Sequence, residues 1–333
     1  MTDTSHAYGH LRRILSVTIG LGLLLALLFF LALSLGSTGH YLREVLSLQA
    51  PEVAATIVWD IRFPRVALAG LVGSALGLGG LVFQALLRNP LAEPYILGIS
   101  GGSAVGAILG MMLGLTVFPG VASLAFLGSM LTLMLIVLIS SGRRLLRESS
   151  LLLAGVMINA FCTAVIMFLI SMAQSSKLHN VLFWLMGDLS GASTAQVAVL
   201  FACLLPCFGF GLVMARPMNL LLMGRETAQA LGVNVQASTL SLLVVTSFMV
   251  SATVCLSGLV GFVGLVIPHL LRLVFGPDHR LLVPSCILGG ASFLIGCDLL
   301  SRLLPTQTTM PVGVVTALIG APAFIFLLYR TQS

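Results

Sequence analysis

The sequence is dominated by long apolar runs that contain almost no charged side chains. Of its 333 residues, 58% are apolar and 8% are charged, whereas soluble domains carry about 25% charged residues. A membrane-spanning helix needs roughly 20 mostly apolar residues. The sequence therefore predicts an all-α membrane protein. Its polar stretches are shorter than the ~50 residues of a small domain, so residues 1–333 are predicted to form a single transmembrane domain.

Ten of the apolar runs are candidate membrane spans. They lie near residues 14–35, 65–87, 95–114, 117–139, 150–173, 194–214, 237–257, 259–275, 281–300 and 311–329. The split between the seventh and eighth spans depends on Ser257-Gly258, because no charge follows until Arg272. With the N-terminus in the cytoplasm, 11 basic residues fall inside and 5 outside, as the positive-inside rule requires. Both termini are therefore predicted to be cytoplasmic.

Glycines recur at every fourth residue in two of these spans. The positions are Gly73 and Gly77 in the second span, and Gly98, Gly102, Gly106, Gly110 and Gly114 in the third. This spacing places the glycines on one face of a helix, where another helix backbone can approach closely. The pattern predicts a tightly packed helical bundle.

Several function classes lack the residues that they need. Ion-coupled transporters commonly keep an ionisable residue at mid-membrane, but Asp298 lies near a helix end and Glu93 in a loop. The sequence contains no HExxH or GxSxG motif of an enzyme and no CxxC pair for a metal. Its single lysine, Lys177, is not in a phosphate-binding loop, so any ATP is bound by another chain. The net charge of +6 reflects orientation in the membrane, not nucleic-acid binding.

Residues 216–233, RPMNLLLMGRETAQALGV, are too polar and broken to span a membrane. They are predicted to form two short helices, Pro217 to Met223 and Arg225 to Leu231, with a break at Gly224 and an end at Gly232. The apolar run of residues 220–223 suits docking into a groove of a cytoplasmic partner. The alternative is a helix pair lying on the bilayer surface.

Four arginines are predicted on the outer side, against the positive-inside trend, and three of them lie at helix ends. Arg62 and Arg65 lie three residues apart in IRFPR, at a helix start fixed by Pro64, and can project outward from one face. Arg302 ends the ninth span. An acidic protein partner would explain this placement. The alternatives are side chains that extend to lipid headgroups and, for Arg302, a local pair with Asp298 four residues earlier.

Several motifs, in this order, resemble the permease subunits of bacterial ABC importers for iron-siderophores, haem and cobalamin. They are IRFPR, QALLRNPLAEPYILGISGG, LLLAG, WLMGDLSG, RPMNLLLMG with ALGV, GFVGLVIPHLLR, DHR and PVGVVTALIGAP. The resemblance covers nearly the whole chain. It implies a homodimer of ten-helix subunits in the bacterial inner membrane, two separate cytoplasmic ATPase subunits that bind ATP-Mg, and a periplasmic substrate-binding protein. It also implies that this chain binds no cofactor and is not itself an enzyme.

The resemblance also implies roles for individual residues. The ATPase-coupling positions are Arg216, Pro217, Met218, Gly224, Arg225, Glu226, Leu231 and Gly232. The positions that dock the binding protein are Arg62, Arg65 and Arg302. The translocation path and its gate would include Ile99, Ser100, Gly101, Gly102, Ser149 and Ser150, for which helix packing is the alternative. Family members often carry two acidic residues after the first glycine of the coupling segment, but here Arg225 precedes Glu226.

The implied cargo is a metal chelate. Family frequency favours a ferric siderophore over cobalamin or haem, and the wholly apolar fifth span offers no cationic partner for haem propionates. The alternative function is an ion-coupled secondary transporter, which would work without ATP.

Overall fold

The computed structural model describes residues 2–36, 55–140, 148–304 and 310–332. Within these ranges the chain forms thirteen α-helices. They are α1 (Thr2–Ser34), α2 (Phe63–Leu86), α3 (Ile99–Met112), α4 (Ala122–Ser140), α5 (Glu148–Met172), α6 (Ser175–Leu185), α7 (Thr194–Val213), α8 (Ala215–Leu222), α9 (Arg225–Ala230), α10 (Val235–Ser257), α11 (Val263–Phe275), α12 (His279–Leu303) and α13 (Val312–Gln332). The π-helical segment Ile57–Arg62 precedes α2, the 3-10 helix Pro94–Leu97 precedes α3, and the π-helical segment Val117–Val121 precedes α4.

The all-helical membrane fold predicted from the sequence is confirmed. By length and composition, seven helices in the described ranges can cross a membrane, and three further apolar helices are shorter. Each predicted span coincides with one of these ten helices. The count of ten crossings stays a prediction, because α3 has 14 residues and α11 has 13, fewer than the roughly 20 that a complete span requires.

The two ends of the bundle can be defined by helix α12. Its 25 residues extend about 37 Å at 1.5 Å per residue. Arg302 lies in its last turn, and we call this end, which also holds Arg62 and Arg65, the arginine end. The first turn of α12 contacts α8, so we call the opposite end, with α8 and α9, the short-helix end. In the predicted topology the short-helix end is cytoplasmic.

Helix α2 forms the centre of the bundle, and its glycines allow other backbones to approach it. A Cβ built on Gly73 would overlap the Gly290 carbonyl of α12 and would lie 2.9 Å from the Leu294 Cβ. A Cβ on Gly80 would overlap the backbone of Gly264 in α11. Helices α3 and α4 approach in the same way, because a Cβ on Gly102 would overlap the Gly128 carbonyl. The glycine stripes therefore mark helix contacts, as the sequence predicts.

The structure confirms the predicted split after Ser257. Helix α10 ends at Ser257, Gly258 has a φ of +66°, and α11 begins only at Val263. The spans predicted from the sequence do not include helix α6. This helix lies inside residues 174–193, a stretch that is too polar to be a candidate span. With eleven residues, α6 is too short to be detected as a span.

Substitution of Gly290 tests the packing between α2 and α12. We expect Gly290→Ala to lower the thermal stability of the purified chain, because overpacking typically costs about 1–3 kcal/mol. The matched control is Gly296→Ala in the same helix, where a Cβ meets nothing within 4 Å. Thermal unfolding in detergent measures both variants. Equal melting temperatures for the two variants would contradict the packing interpretation.

Candidate functional site

The arginine end is organised around one buried carboxylate. Asp298 of α12 is fully buried. Its Oδ1 accepts a hydrogen bond from Arg65 Nε at 2.8 Å, and its Oδ2 lies 3.0 Å from Arg302 Nε one turn later in the same helix. The predicted local pair between Arg302 and Asp298 is thus present, and Arg65 joins it from α2.

The remaining guanidinium donors reach the C-terminus of α1. Arg62 Nη1 donates to the carbonyls of Leu33 at 3.0 Å and Ser34 at 3.1 Å. Arg302 Nη2 donates to the Ala32 carbonyl at 3.0 Å. The last carbonyls of a helix lack partners within the helix and carry partial negative charge. The arginines therefore cap α1 and join it to α2 and α12.

This geometry corrects the expectation that Arg62 and Arg65 project outward from the helix start. Both side chains turn into the protein, where their residues are 4% and 8% exposed. The physical reason is the supply of acceptors inside, namely one carboxylate and a helix C-terminus. The local sequence predicts which face of a helix a side chain lies on. It does not predict which hydrogen-bond acceptors other helices bring to that face. The docking role of the three arginines stays a prediction.

The short-helix end has the helix–break–helix form predicted from the sequence. Helix α8 begins at Ala215 and carries Arg216, Pro217 and Met218, and α9 begins at Arg225. The break is made by Gly224, which has a φ of +120°, and Gly232 with a φ of +85° follows α9. Such φ values are readily adopted only by glycine. The structure therefore explains why glycines occupy these two positions.

Part of the predicted apolar patch at residues 220–223 is buried. Leu221 packs inside together with Met218, whereas Leu222 and Met223 are 40% and 66% exposed. Leu231, in the turn after α9, is 59% exposed, and Glu226 is also exposed. An amphipathic helix buries one face, so the four consecutive residues cannot all face a partner. The exposed surface includes Leu222, Met223, Glu226 and Leu231.

Helix α8 is attached to α12 by a polar network. Asn219 Nδ2 donates to Asp278 Oδ1 at 2.7 Å, and Asn219 Oδ1 accepts from the backbone N–H of His279 at 2.9 Å. Asp278 Oδ1 also accepts from the backbone N–H of Arg280, which caps α12. The DHR motif therefore forms the start of α12 and the attachment point of α8. The opposite end of the same helix carries Asp298.

The gate candidates lie between packed helices of this chain. Ile99 and Ser100 are buried. A Cβ on Gly101 would lie 2.8 Å from the Cys162 Cβ of α5, and Gly102 packs on α4. Helix packing accounts for these positions, and their gate role stays a prediction. Of the two serines, Ser149 lies in the first turn of α5 and Ser150 follows it and is exposed.

The Glu93 side chain lies deeper in the helical bundle than is expected for a residue of a surface loop. Its Oε1 accepts a hydrogen bond from the backbone N–H of Phe262 at 3.0 Å, and the Tyr95 hydroxyl donates to the Val260 carbonyl at 2.9 Å. The next residue, Pro94, packs against Gly79, which is about 10 Å along α2 from the end of that helix. Burial raises the pKa of Glu93, and the Phe262 N–H opposes that shift. Residues 93–95 thus hold the break between α10 and α11.

Comparison with known proteins places this fold in a family. Residues 24–330 match the FecCD transport family. The chain belongs to the FecCD transport family. It is 42% identical over 277 residues to the vitamin B12 import system permease protein BtuC of Klebsiella pneumoniae, with 83% of each chain covered. It is 40% identical over 321 residues to the hemin transport system permease protein HmuU of Yersinia pestis, with 94% of this chain and 96% of HmuU covered.

A solved structure supports the same FecCD assignment. It is described as an inward-facing conformation of a metal-chelate type ABC transporter, and it aligns with a TM-score of 0.87 and 31% identity over 95% of this chain and 99% of that one. The resemblance deduced from the sequence motifs is therefore confirmed. The FecCD relatives are transport permeases, which agrees with the expectation that this chain is not an enzyme.

Sequence reasoning noted some structural residues of this FecCD chain only in passing. The sequence places Asp298 near a helix end, with Arg302 as its possible partner, and Glu93 in a loop, but it does not predict the contacts that either residue makes. Asn219 was part of a motif without a role of its own. The available signal was Asn219 next to the apolar run of residues 220–223, because a polar side chain that is buried with such a run needs partners. The partners themselves, 60 residues away at His279, could not be read from the sequence.

Removal of the buried carboxylate tests the arginine cluster. We expect Asp298→Asn to destabilise the chain by about 3–5 kcal/mol, because Arg65 and Arg302 would keep their charges without a counter-charge. The control is Asp60→Asn, since Asp60 lies at the same end and is exposed. Thermal unfolding of the purified variants measures the difference. A D298N chain as stable as D60N would contradict the role of this carboxylate.

Proposed function

We propose that this chain is the membrane-spanning permease subunit of an ABC importer that moves a metal chelate from the periplasm to the cytoplasm. The observation that carries the proposal is the FecCD match over residues 24–330. The relatives BtuC and HmuU are named for vitamin B12 and hemin, and both of these are metal chelates. Cobalamin and haem are therefore candidate cargoes beside the ferric siderophore expected from family frequency.

The proposed assembly contains a second copy of this chain, two cytoplasmic ATPase subunits and a periplasmic substrate-binding protein in the inner membrane. One face of α5 suits a path or interface between the two copies. Leu153, Met157, Phe161, Phe168 and Met172 are all exposed, and at about 100° per residue they fall on one side of the helix. Flexible methionines in an apolar wall can adapt to the irregular surface of a bulky chelate or of a second copy.

The short-helix end is the proposed contact with the ATPase. Leu222, Met223 and Leu231 offer exposed apolar side chains, and Glu226 a charge, on two helices set at an angle by Gly224. A groove in a partner binds such short amphipathic segments. ATP-Mg would be bound and hydrolysed entirely in the ATPase chains. This chain converts the movement of the ATPase subunits into opening of the translocation path to one side of the membrane or the other. It performs no covalent chemistry.

We propose that movement of the ATPase subunits is transmitted through this chain along α12. Asn219 attaches α8 to the start of α12, and Asp298 attaches the end of α12 to Arg65 of α2. The glycine contacts between α2 and α12 leave little room for sliding. We infer that the coupling segment, α12 and α2 move as one unit. The outer arginines, which would dock the binding protein, belong to that unit.

Uptake into vesicles tests the proposed function. The whole transporter, reconstituted from this chain, its ATPase and its binding protein, is supplied with cobalamin, hemin and a ferric siderophore in parallel. We expect one of the three to enter only with ATP and to keep entering when ionophores remove the ion gradients. Vesicles without the binding protein are the control. Uptake that survives without ATP and stops with the ionophores would instead identify an ion-coupled secondary transporter.

A further inference from the structure

A cavity of about 420 Å³ opens at the arginine end, away from the residues considered so far. Its walls come from the end of α3, the following residues 114–122, the helix α6 and the end of α10. Helix α10 starts directly after the short-helix end, so the Cys255 and Leu256 that line the cavity lie at the opposite end of the bundle. The volume lies in the range of about 300–1,000 Å³ that is typical of small-molecule sites.

The cavity contains the only lysine of the chain. Lys177 Nζ donates one hydrogen bond to the Met112 carbonyl, at 2.8 Å. An ammonium group has three donors, so it can make further bonds to a ligand. Among the described residues, no carboxylate lies within 4 Å of this ammonium group. The lysine charge is therefore available to an anion.

The other charged residue that lines the cavity already has partners. Asp188 Oδ1 accepts from the Ser190 N–H at 2.8 Å, and Oδ2 accepts from the Ser190 hydroxyl at 2.7 Å. The Asn180 amide and the Trp184 indole line the same cavity. The polar part of the wall thus combines the Lys177 ammonium group, the Asp188 carboxylate, which is hydrogen-bonded to Ser190, and neutral groups that can donate hydrogen bonds.

The mouth of the cavity is apolar and exposed. Of the residues that line it, Val117 is 72% exposed, and Leu115 and Phe118 are 43% and 44% exposed. In a membrane protein, a cluster of this kind at the ends of helices lies where acyl chains meet headgroups. Tryptophan is also enriched at that level, and basic pockets between helices bind anionic headgroups.

We propose that this cavity binds an anionic phospholipid of the leaflet at the arginine end. Lys177 contacts the phosphate as a point charge, the Asn180 amide donates to headgroup oxygens, and the acyl chains lie along Leu115, Val117 and Phe118. A free anion would make no contact with the apolar mouth of the cavity. An acidic protein segment would leave the exposed apolar side chains without an apolar partner. The proposal does not depend on the cargo or on the energy source of transport.

The single lysine provides a direct test on the unmodified chain. We compare the rate of acetylation of Lys177 by mass spectrometry in nanodiscs of phosphatidylglycerol and of phosphatidylcholine, with the N-terminal amine as internal reference. We expect acetylation to be several-fold slower in phosphatidylglycerol, because the bound phosphate blocks the ammonium group. Equal rates in the two lipids would overturn the proposal. Equal slowing by inorganic phosphate in detergent would also overturn it, because the site would then bind a free anion.

Variants at the same position provide a second readout. Native mass spectrometry counts the phosphatidylglycerol molecules that stay bound after detergent extraction. We expect Lys177→Gln to lose one such molecule and Lys177→Arg to retain it, with unchanged melting temperatures for both. Retention of the lipid by K177Q would contradict the proposal. Protection of Lys177 by the soluble binding protein in phosphatidylcholine, with none from anionic lipid, would assign the cavity to a protein contact instead.

Discussion

The close contact between α2 and α12 is the constraint on which the rest of the structure depends. Only glycine at positions 73 and 290 lets the two backbones approach so closely. This contact fixes α12 along the centre of the bundle. As a result, one end of α12 brings Asp298 to the arginines, and the other end brings His279 to Asn219. The two proposed contact surfaces, at the arginine end and at the short-helix end, are therefore both positioned by one pair of helices.

A buried carboxylate between two arginines would be costly if it stood alone. Desolvation of ions in a protein interior can exceed their mutual attraction. Here the C-terminus of α1, whose carbonyls accept from Arg62 and Arg302, offsets part of the surplus positive charge. The arrangement holds three helices in one geometry at the arginine end. It also makes Arg62 and Arg65 structural residues, whatever partner they meet at the surface.

The sequence predicted the helices well, because long apolar runs leave few alternatives to a spanning helix. Glycine spacing predicted which faces pack, and Gly224 and Gly232 marked the two short helices. Helix α6 was missed because it is short and partly polar. The inward turn of Arg62 and the reach of Glu93 to Phe262 were also missed. Such contacts join residues far apart in the chain, such as the 169 positions between Glu93 and Phe262, and leave no local pattern.

The proposed mechanism requires the coupling segment and α12 to move as one unit within each chain. It is tested most directly by spin-label distances in the assembled transporter, with labels at Leu222 and Leu303 after replacement of the six native cysteines. The distance within one chain is measured with and without a non-hydrolysable ATP analogue. We expect the distance within one chain to stay unchanged, while the distance between the two copies of Leu222 changes. A change within the chain as large as that between copies would contradict it.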